Sequence, residues 1–189
     1  MIKHQNFILN KPYGYLSQFI YEKKRNKKLL GELYPFPDGT MAIGRLDEDS
    51  EGLLLLTTDG MISEMIRSKK IPKEYYAQVD GIINQEAVNK LKKGVEIGFN
   101  GIKYLTLPCE AKLLSVIPNF PMRGKKIRDE RHGPTTWVSI TLKEGKFRQV
   151  RKMTAAVGFP TLRLIRVRIG EIHLNMLESG QVLIVDKLA

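Results

Sequence analysis

Apolar residues in this chain fall into short runs separated by polar breaks, and the period within each run predicts what it becomes. FILN (7–10) is apolar and leads into KPYG, where Pro12 and Gly14 mark a turn, so it predicts a strand. MAIGRL (41–46) predicts another. LLLLTT (53–58) is a continuous apolar run too short for a typical helix and bounded by Gly52 and Asp59-Gly60, the pattern of a strand buried on both faces. MISEMIRS follows with apolar residues at 61, 62, 65 and 66, the spacing of one helix face, and EYYAQVDG (74–81) returns to strand composition. NQEAVNKLKKG (84–94) predicts a helix capped by Asn84, with Glu86 in its first turn, lysines in its last and Gly94 at its end.

In the second half, TLPCEAKLLSVI and WVSITLKEG predict strands, joined by PNFPMRGKKIRDERHGPT, a long connection expected to be mobile and weakly ordered without a ligand. RQVRKMTAAVGFP (148–160) predicts a helix stopped by Gly158 and Pro160, and TLRLIRVRIGEIHL (161–174) alternates Arg163, Arg166 and Arg168 with apolar residues. Strands and helices interleave without regular βαβ spacing. The expected class is therefore α+β, a mixed, mainly antiparallel sheet flanked by helices.

Composition narrows the picture. At 189 residues and 42% hydrophobic content the chain can build one domain or two closely packed lobes. Its start lacks the layout of a signal peptide and no apolar run approaches the roughly 18 residues of a membrane span, so a cytoplasmic protein with no membrane partner is expected. Cys109 has no second cysteine to pair with, and His4, His132 and His173 are scattered, so no metal is expected. The formal net charge of +11 is concentrated between Pro121 and Arg168, where thirteen Lys or Arg stand against three acids, a net of +10. That segment predicts the face that meets a polyanion, with an affinity that depends on salt and carries no sequence information of its own. Smaller clusters at 22–28, 67–73 and 90–93 read as solvated flanks.

Against this excess of cations stands GRLDEDSEGLLLLTTDG (44–60), with Asp47, Glu48, Asp49, Glu51 and Asp59 beside a single cation, Arg45. Neighbouring carboxylates invite a glycosidase-like reading, but Ser50 and Gly52 suggest a turn, where acids commonly bond the backbone or face water. Asp47 differs from the rest, because it stands where AIGRL opens into the loop that leads to the buried leucines, a rigid place to hold a reactive carboxylate. Such a group needs an opposite charge to stay ionised near a core. Arg148, Arg151 and Lys152, at i, i+3 and i+4, make a basic face apart from Val150, Met153 and Val157, either turned partly into the fold or wholly solvated.

GRLD, four residues, GLLLLT and a closing DG resemble the signature of the bacterial ribosomal pseudouridine synthases, in the group named for the type-A enzyme of the small subunit. NKPYG (10–14), KEYYAQVDG (73–81) and EGKFRQVRKMTAAVGFPTLRLIRVRIG (144–170) match further blocks of the same family in the right order, so the resemblance covers nearly the whole chain. It implies the pseudouridine synthase catalytic fold, in two lobes of roughly 1–72 and 73–189 with a basic cleft between them. RLDEDSEG, NKPYGYLSQF and VGFPTLRLIR are most like members that act on the large subunit, which makes 23S ribosomal RNA the implied partner and substrate.

By the resemblance, Asp47 is the catalytic acid, Tyr75 stacks on the target base and is a candidate for the later proton abstraction from C5, and Arg151 pairs with the aspartate. Tyr76 would point to the opposite side of a strand from Tyr75. Arg45 is expected at the RNA, together with Arg123, Lys125, Lys126, Arg128, Arg131, Lys146, Arg148, Lys152, Arg163 and Arg166. The chemistry suits these residue types. A uridine in folded RNA must be extruded before its glycosidic bond is reached, and an aromatic face offsets some of the lost stacking. Detaching uracil and rejoining C5 to C1′ involves no redox change, so no cofactor is expected; the carboxylate can act at C1′, at the C2′ proton or at C6 of the base. Many relatives carry an amino-terminal S4-type RNA-binding module, for which NFILNKPYG, starting within ten residues of Met1, leaves no room; target choice is then expected to rest on the catalytic domain, working as a monomer. TTDG stands where TNDG is common in the family, without an expected effect on catalysis. A non-catalytic ribosomal RNA-binding or assembly factor on the same fold is the alternative.

Overall fold

The structure is a computed structural model that describes residues 4–21, 26–68, 70–99 and 101–188. Most of the 22–28 cluster and Lys69 of the 67–73 cluster lie outside the described residues. The chain forms two compact units, one of residues 1–71 with 166–189 and the other of residues 72–165. The carboxy-terminal part thus belongs with the first unit, where the family resemblance puts it in the second lobe.

In the first unit, β1 (Asn6–Lys11), β2 (Met41–Ala42) and β3 (Glu51–Thr57) precede helix α1 (Gly60–Ser68). Strand β1 pairs antiparallel with β3, Phe7 opposite Leu56 and Lys11 opposite Gly52, and β2 pairs antiparallel with β3. Every residue of β3 is buried, as its unbroken apolar run predicts. Phe7, Leu9, Leu30, Leu54 and Leu56 form a core onto which Phe19, Tyr34, Phe36 and Val182 pack. Phe36 is its aromatic hub, with ring centroids 5.0 to 5.4 Å from Tyr34, Phe7 and Phe19. The predicted strand at 41–46 is shorter than expected: β2 ends at Ala42, Ile43 N makes one further bond to Leu55 O at 2.8 Å, and residues 43–50 have no regular structure. Asp59 caps α1, its Oδ1 accepting from Met61 N at 2.8 Å, so the closing DG of the acidic stretch starts a helix.

The second unit contains β4 (Lys73–Asp80), helix α2 (Gln85–Lys93), the hairpin β5 (Glu96–Phe99) and β6 (Ile102–Leu105), then β7 (Glu110–Leu113), β8 (Thr135–Leu142), helix α3 (Gln149–Ala156) and β9 (Thr161–Ile169). Strand β8 lies between β4 and β7, antiparallel to both. Helix α2 has the expected ends. Asn84 Oδ1 accepts from Ala87 N at 2.9 Å, and Gly94 takes φ 97°, where a Cβ would collide with the Thr106 carbonyl. Val88, Leu91, Val79, Val138, Ile140 and Met153 make the core of this unit. Strand β9 carries the chain back into the first unit, where β10 (Ile172–His173) pairs with its end and β11 (Val182–Val185) pairs with β1. Among the described residues, three α-helices with antiparallel ladders give the α+β class read from the sequence. Among the described residues no helix is long and apolar enough to cross a membrane.

The 118–134 connection differs from its expectation. It lacks regular structure apart from a short turn of helix at Glu130–His132, yet its own side chains tie it to the unit. The Phe120 ring lies 6.2 Å from Tyr76 and 5.9 Å from Trp137, Arg123 Nη1 donates to Leu162 O at 3.3 Å, and Arg128 pairs with Asp80. Arginines that composition marks for a polyanion here hold a loop.

Candidate active site

The backbone around Asp47 is irregular, and its polar groups are satisfied one by one. Arg166 Nη1 donates to the Arg45 carbonyl at 3.5 Å. Ser17 Oγ donates to Leu46 O at 2.8 Å and accepts from Leu46 N at 3.0 Å. Ser50 N donates to Asp47 O at 3.0 Å, and Gly14 N donates to Glu48 O at 2.8 Å. Four consecutive carbonyls are therefore fixed by separate partners, two of them from the NKPYGYLS segment. A buried donor or acceptor left without its partner costs about 1–3 kcal/mol, so this frame resists displacement of the half-buried carboxylate it carries. Leu46, 5% exposed, anchors it in the core.

Lys11 lies close by in the same unit. On β1 it is in phase with Phe7 and Leu9, and none of the three is exposed. Its Nζ donates to Pro12 O at 2.9 Å and Tyr15 O at 2.8 Å, which closes the turn after β1. Burial lowers the ammonium to about 7, against the opposing pull of Glu51, then Asp49, and, after a like-charge push from Arg166, Asp47. Glu51 is itself buried at the start of β3, beside the Gly52 that faces Lys11 across the ladder, so it is no solvated turn acid. Glu48 pairs with Lys27 at 2.6 Å, partly in solvent, and contributes little. Arg166, 2% exposed, donates from Nε to Leu53 O at 2.8 Å, and its Nη2 has no hydrogen-bond partner among the described residues. Three acids of the stretch, Glu51, Asp49 and Asp47, thus act on the buried Lys11, while Glu48 and Asp59 have other partners. Among the described residues no group of three or more His, Cys, Asp or Glu could hold a metal ion.

In the second unit, strand alternation separates the two tyrosines as expected. Tyr75 shares the face of Ala77 and Val79 and packs half-buried against the core, while Tyr76 faces Phe120 on the other side. Arg151 is half-buried on α3, with Nη1 donating to Thr161 O at 3.4 Å. Arg148 lies just before the helix in the left-handed region, φ 53° and ψ 34°, so the basic face does not begin on the helix itself.

The expected RNA-contacting cations divide by burial. Arg45, Lys125, Lys126 and Arg131 are exposed, Arg131 reaching back to Asp129. Arg123, Arg128, Lys146, Arg148 and Lys152 are half-buried, with Lys146 Nζ 4.9 Å from the Tyr104 ring centre. Arg163 and Arg166 are buried at 7% and 2% exposure, and Arg163 Nη2 donates to Pro121 O at 2.8 Å. Both of these buried arginines bond carbonyls of the fold.

Sequence reasoning missed Lys11 and Ser17. For Lys11 the signal exists in the register of FILNK, a lysine in phase with the buried side of a strand. For Ser17 there is none, because its partner is 29 residues away in the chain.

The acid frame, the tyrosine strand and the arginine helix coincide with blocks of one family. The RNA pseudouridylate synthase family matches residues 5–156, and the chain belongs to that family. Among its relatives, the ribosomal large subunit pseudouridine synthase E of Vibrio parahaemolyticus serotype O3:K6 is 44% identical over 176 residues, 92% of this chain and 71% of that protein. The protein of the same name from Xanthomonas axonopodis pv. citri is 42% identical over 172 residues, 90% of this chain and 88% of that one. A crystal structure of a pseudouridylate synthase superimposes with a TM-score of 0.76 at 27% identity, covering 98% of this chain and 71% of its own.

Proposed function

We propose that the protein converts a specific uridine of 23S ribosomal RNA to pseudouridine, acting as a cytoplasmic monomer without cofactor or metal. The observation that carries the reading is Asp47, the aspartate of the family's GRLD block, on a backbone whose carbonyls are pinned from residue 45 to residue 48. A carboxylate in a fixed frame beside buried cations is suited to act repeatedly on a substrate brought to it. The relatives named for the ribosomal large subunit support the substrate class.

In this reading the target uridine is extruded, Tyr75 offers its ring to the base, and Asp47 acts at C1′, the C2′ proton or C6 as the N1–C1′ bond breaks; uracil turns, C5 joins C1′, the C5 proton leaves and N1 takes one up. Arg151 serves as the cation that keeps the carboxylate ionised, since a nearby positive charge lowers an acid's pKa. Arg45, exposed two residues before Asp47, holds the opened strand.

The test is direct. Purified protein incubated with unmodified 23S transcript in buffer containing EDTA should form pseudouridine, and Asp47→Asn should form none while still retaining RNA. Activity in the Asn variant would remove Asp47 from the mechanism; binding without isomerisation by the wild type would favour an assembly factor.

A further inference from the structure

Phe147 is an apolar side chain that the fold places in solvent on a tightly bonded backbone. It is 65% exposed, yet it sits at the corner of a turn closed from both sides, with Gln149 N donating to Lys146 O at 3.1 Å and Lys146 N donating to Gln149 Oε1 at 2.9 Å. Gln149 is 4% exposed, and its Nε2 donates to Glu144 Oε1 at 2.5 Å. Glu144 also accepts from Tyr104 Oη at 2.6 Å and from Leu107 N at 2.9 Å. Burial raises its carboxyl, but these bonds and the charge of Lys146 outweigh that and hold it below the ordinary value. The next residue, Arg148, occupies the left-handed region without being glycine, a conformation that costs free energy and persists where the surroundings impose it.

The ring's neighbours are cations. Lys146 and Arg148 flank it in the chain, and Lys152 Nζ lies 5.4 Å from its centroid while donating to Gly98 O at 2.8 Å. An exposed aromatic on a hydrogen-bonded turn, with the Lys152 ammonium near its ring and two more cations beside it in the chain, offers what single-stranded nucleic acid needs: a flat apolar face for a base and cations for the phosphates on either side. We propose that Phe147 is a stacking site for an unpaired nucleobase of the bound RNA, separate from the base that reacts. The proposal rests on the reading of the protein as an enzyme of RNA.

The experiment compares the full-length chain with Phe147→Ala, Phe147→Leu and Phe147→Tyr, measuring affinity for unmodified 23S transcript across a salt series, the KM and kcat of pseudouridine formation, and the melting temperature. Stacking predicts that Ala and Leu both weaken binding about tenfold and raise KM, with kcat, melting temperature and salt slope unchanged, while Tyr stays within about twofold of wild type. Wild-type affinity in Phe147→Ala, or Leu binding as tightly as Tyr, overturns it. A wild-type protein that binds RNA but makes no pseudouridine sinks the proposed enzyme and leaves the affinity series to decide the stacking site; no RNA binding at all overturns both.

Discussion

At the scale of single residues, Lys11 makes an uncommon demand on the fold. Its amine is buried with two carbonyl acceptors, and it titrates near 10.5 when exposed but about 7 in the folded protein. Between those values the unfolded chain holds a proton that the folded chain has released, so stability should rise with pH by up to about 1.4 kcal/mol per unit. Below about pH 7 both states are protonated and this gain is absent. Denaturant titrations from about pH 6 to about pH 10 should show the rise in the wild type and its loss in Lys11→Met. Parallel curves for the two proteins would mean that the amine is not desolvated as its surroundings imply. Among single residues, the motif around Asp47 is local and was open to reading in the sequence. The frame that holds Asp47 was not, since Ser17 and Arg166 reach Leu46 and Arg45 only after the chain has folded.

At the scale of elements, the 118–134 connection separates charge that serves the fold from charge left in solvent. Arg123 and Arg128 bond Leu162 and Asp80, whereas Lys125 and Lys126 are exposed. Replacing both lysines by glutamine should lower the slope of log affinity against log salt by about 1 to 2 with the melting temperature unchanged, because each phosphate contact contributes roughly 0.7–0.9 to the slope. An unchanged slope would take the loop out of the RNA interface. Helix α2 was fully legible because its cap and its terminal glycine are local signals. The β5 and β6 hairpin was missed although Asn100-Gly101 is a strong turn signal, because IKYL (102–105) is short, broken by Lys103, and followed at once by TLPCE, which reads as the start of another strand. The strand expected across 41–46 stops at Ala42, where the chain gives up sheet pairing for the bonds that frame Asp47.

At the scale of the whole molecule, local patterns could not reveal that residues 166–189 close the first unit, since β11 finds β1 across most of the chain length. The same distance hides the partnership of Arg166 with the acidic stretch. Class and family were nevertheless legible, because the matched blocks contain both the core leucines and the polar motifs beside them. In the proposed function this fold presents one carboxylate to one uridine. The most direct test is to map pseudouridines in the 23S ribosomal RNA of cells that lack the protein and are complemented with wild type or with Asp47→Asn. One position should be uridine without the protein, pseudouridine with the wild type and uridine again with Asp47→Asn. An unchanged map on loss of the protein, or restoration of the site by Asp47→Asn, would contradict it.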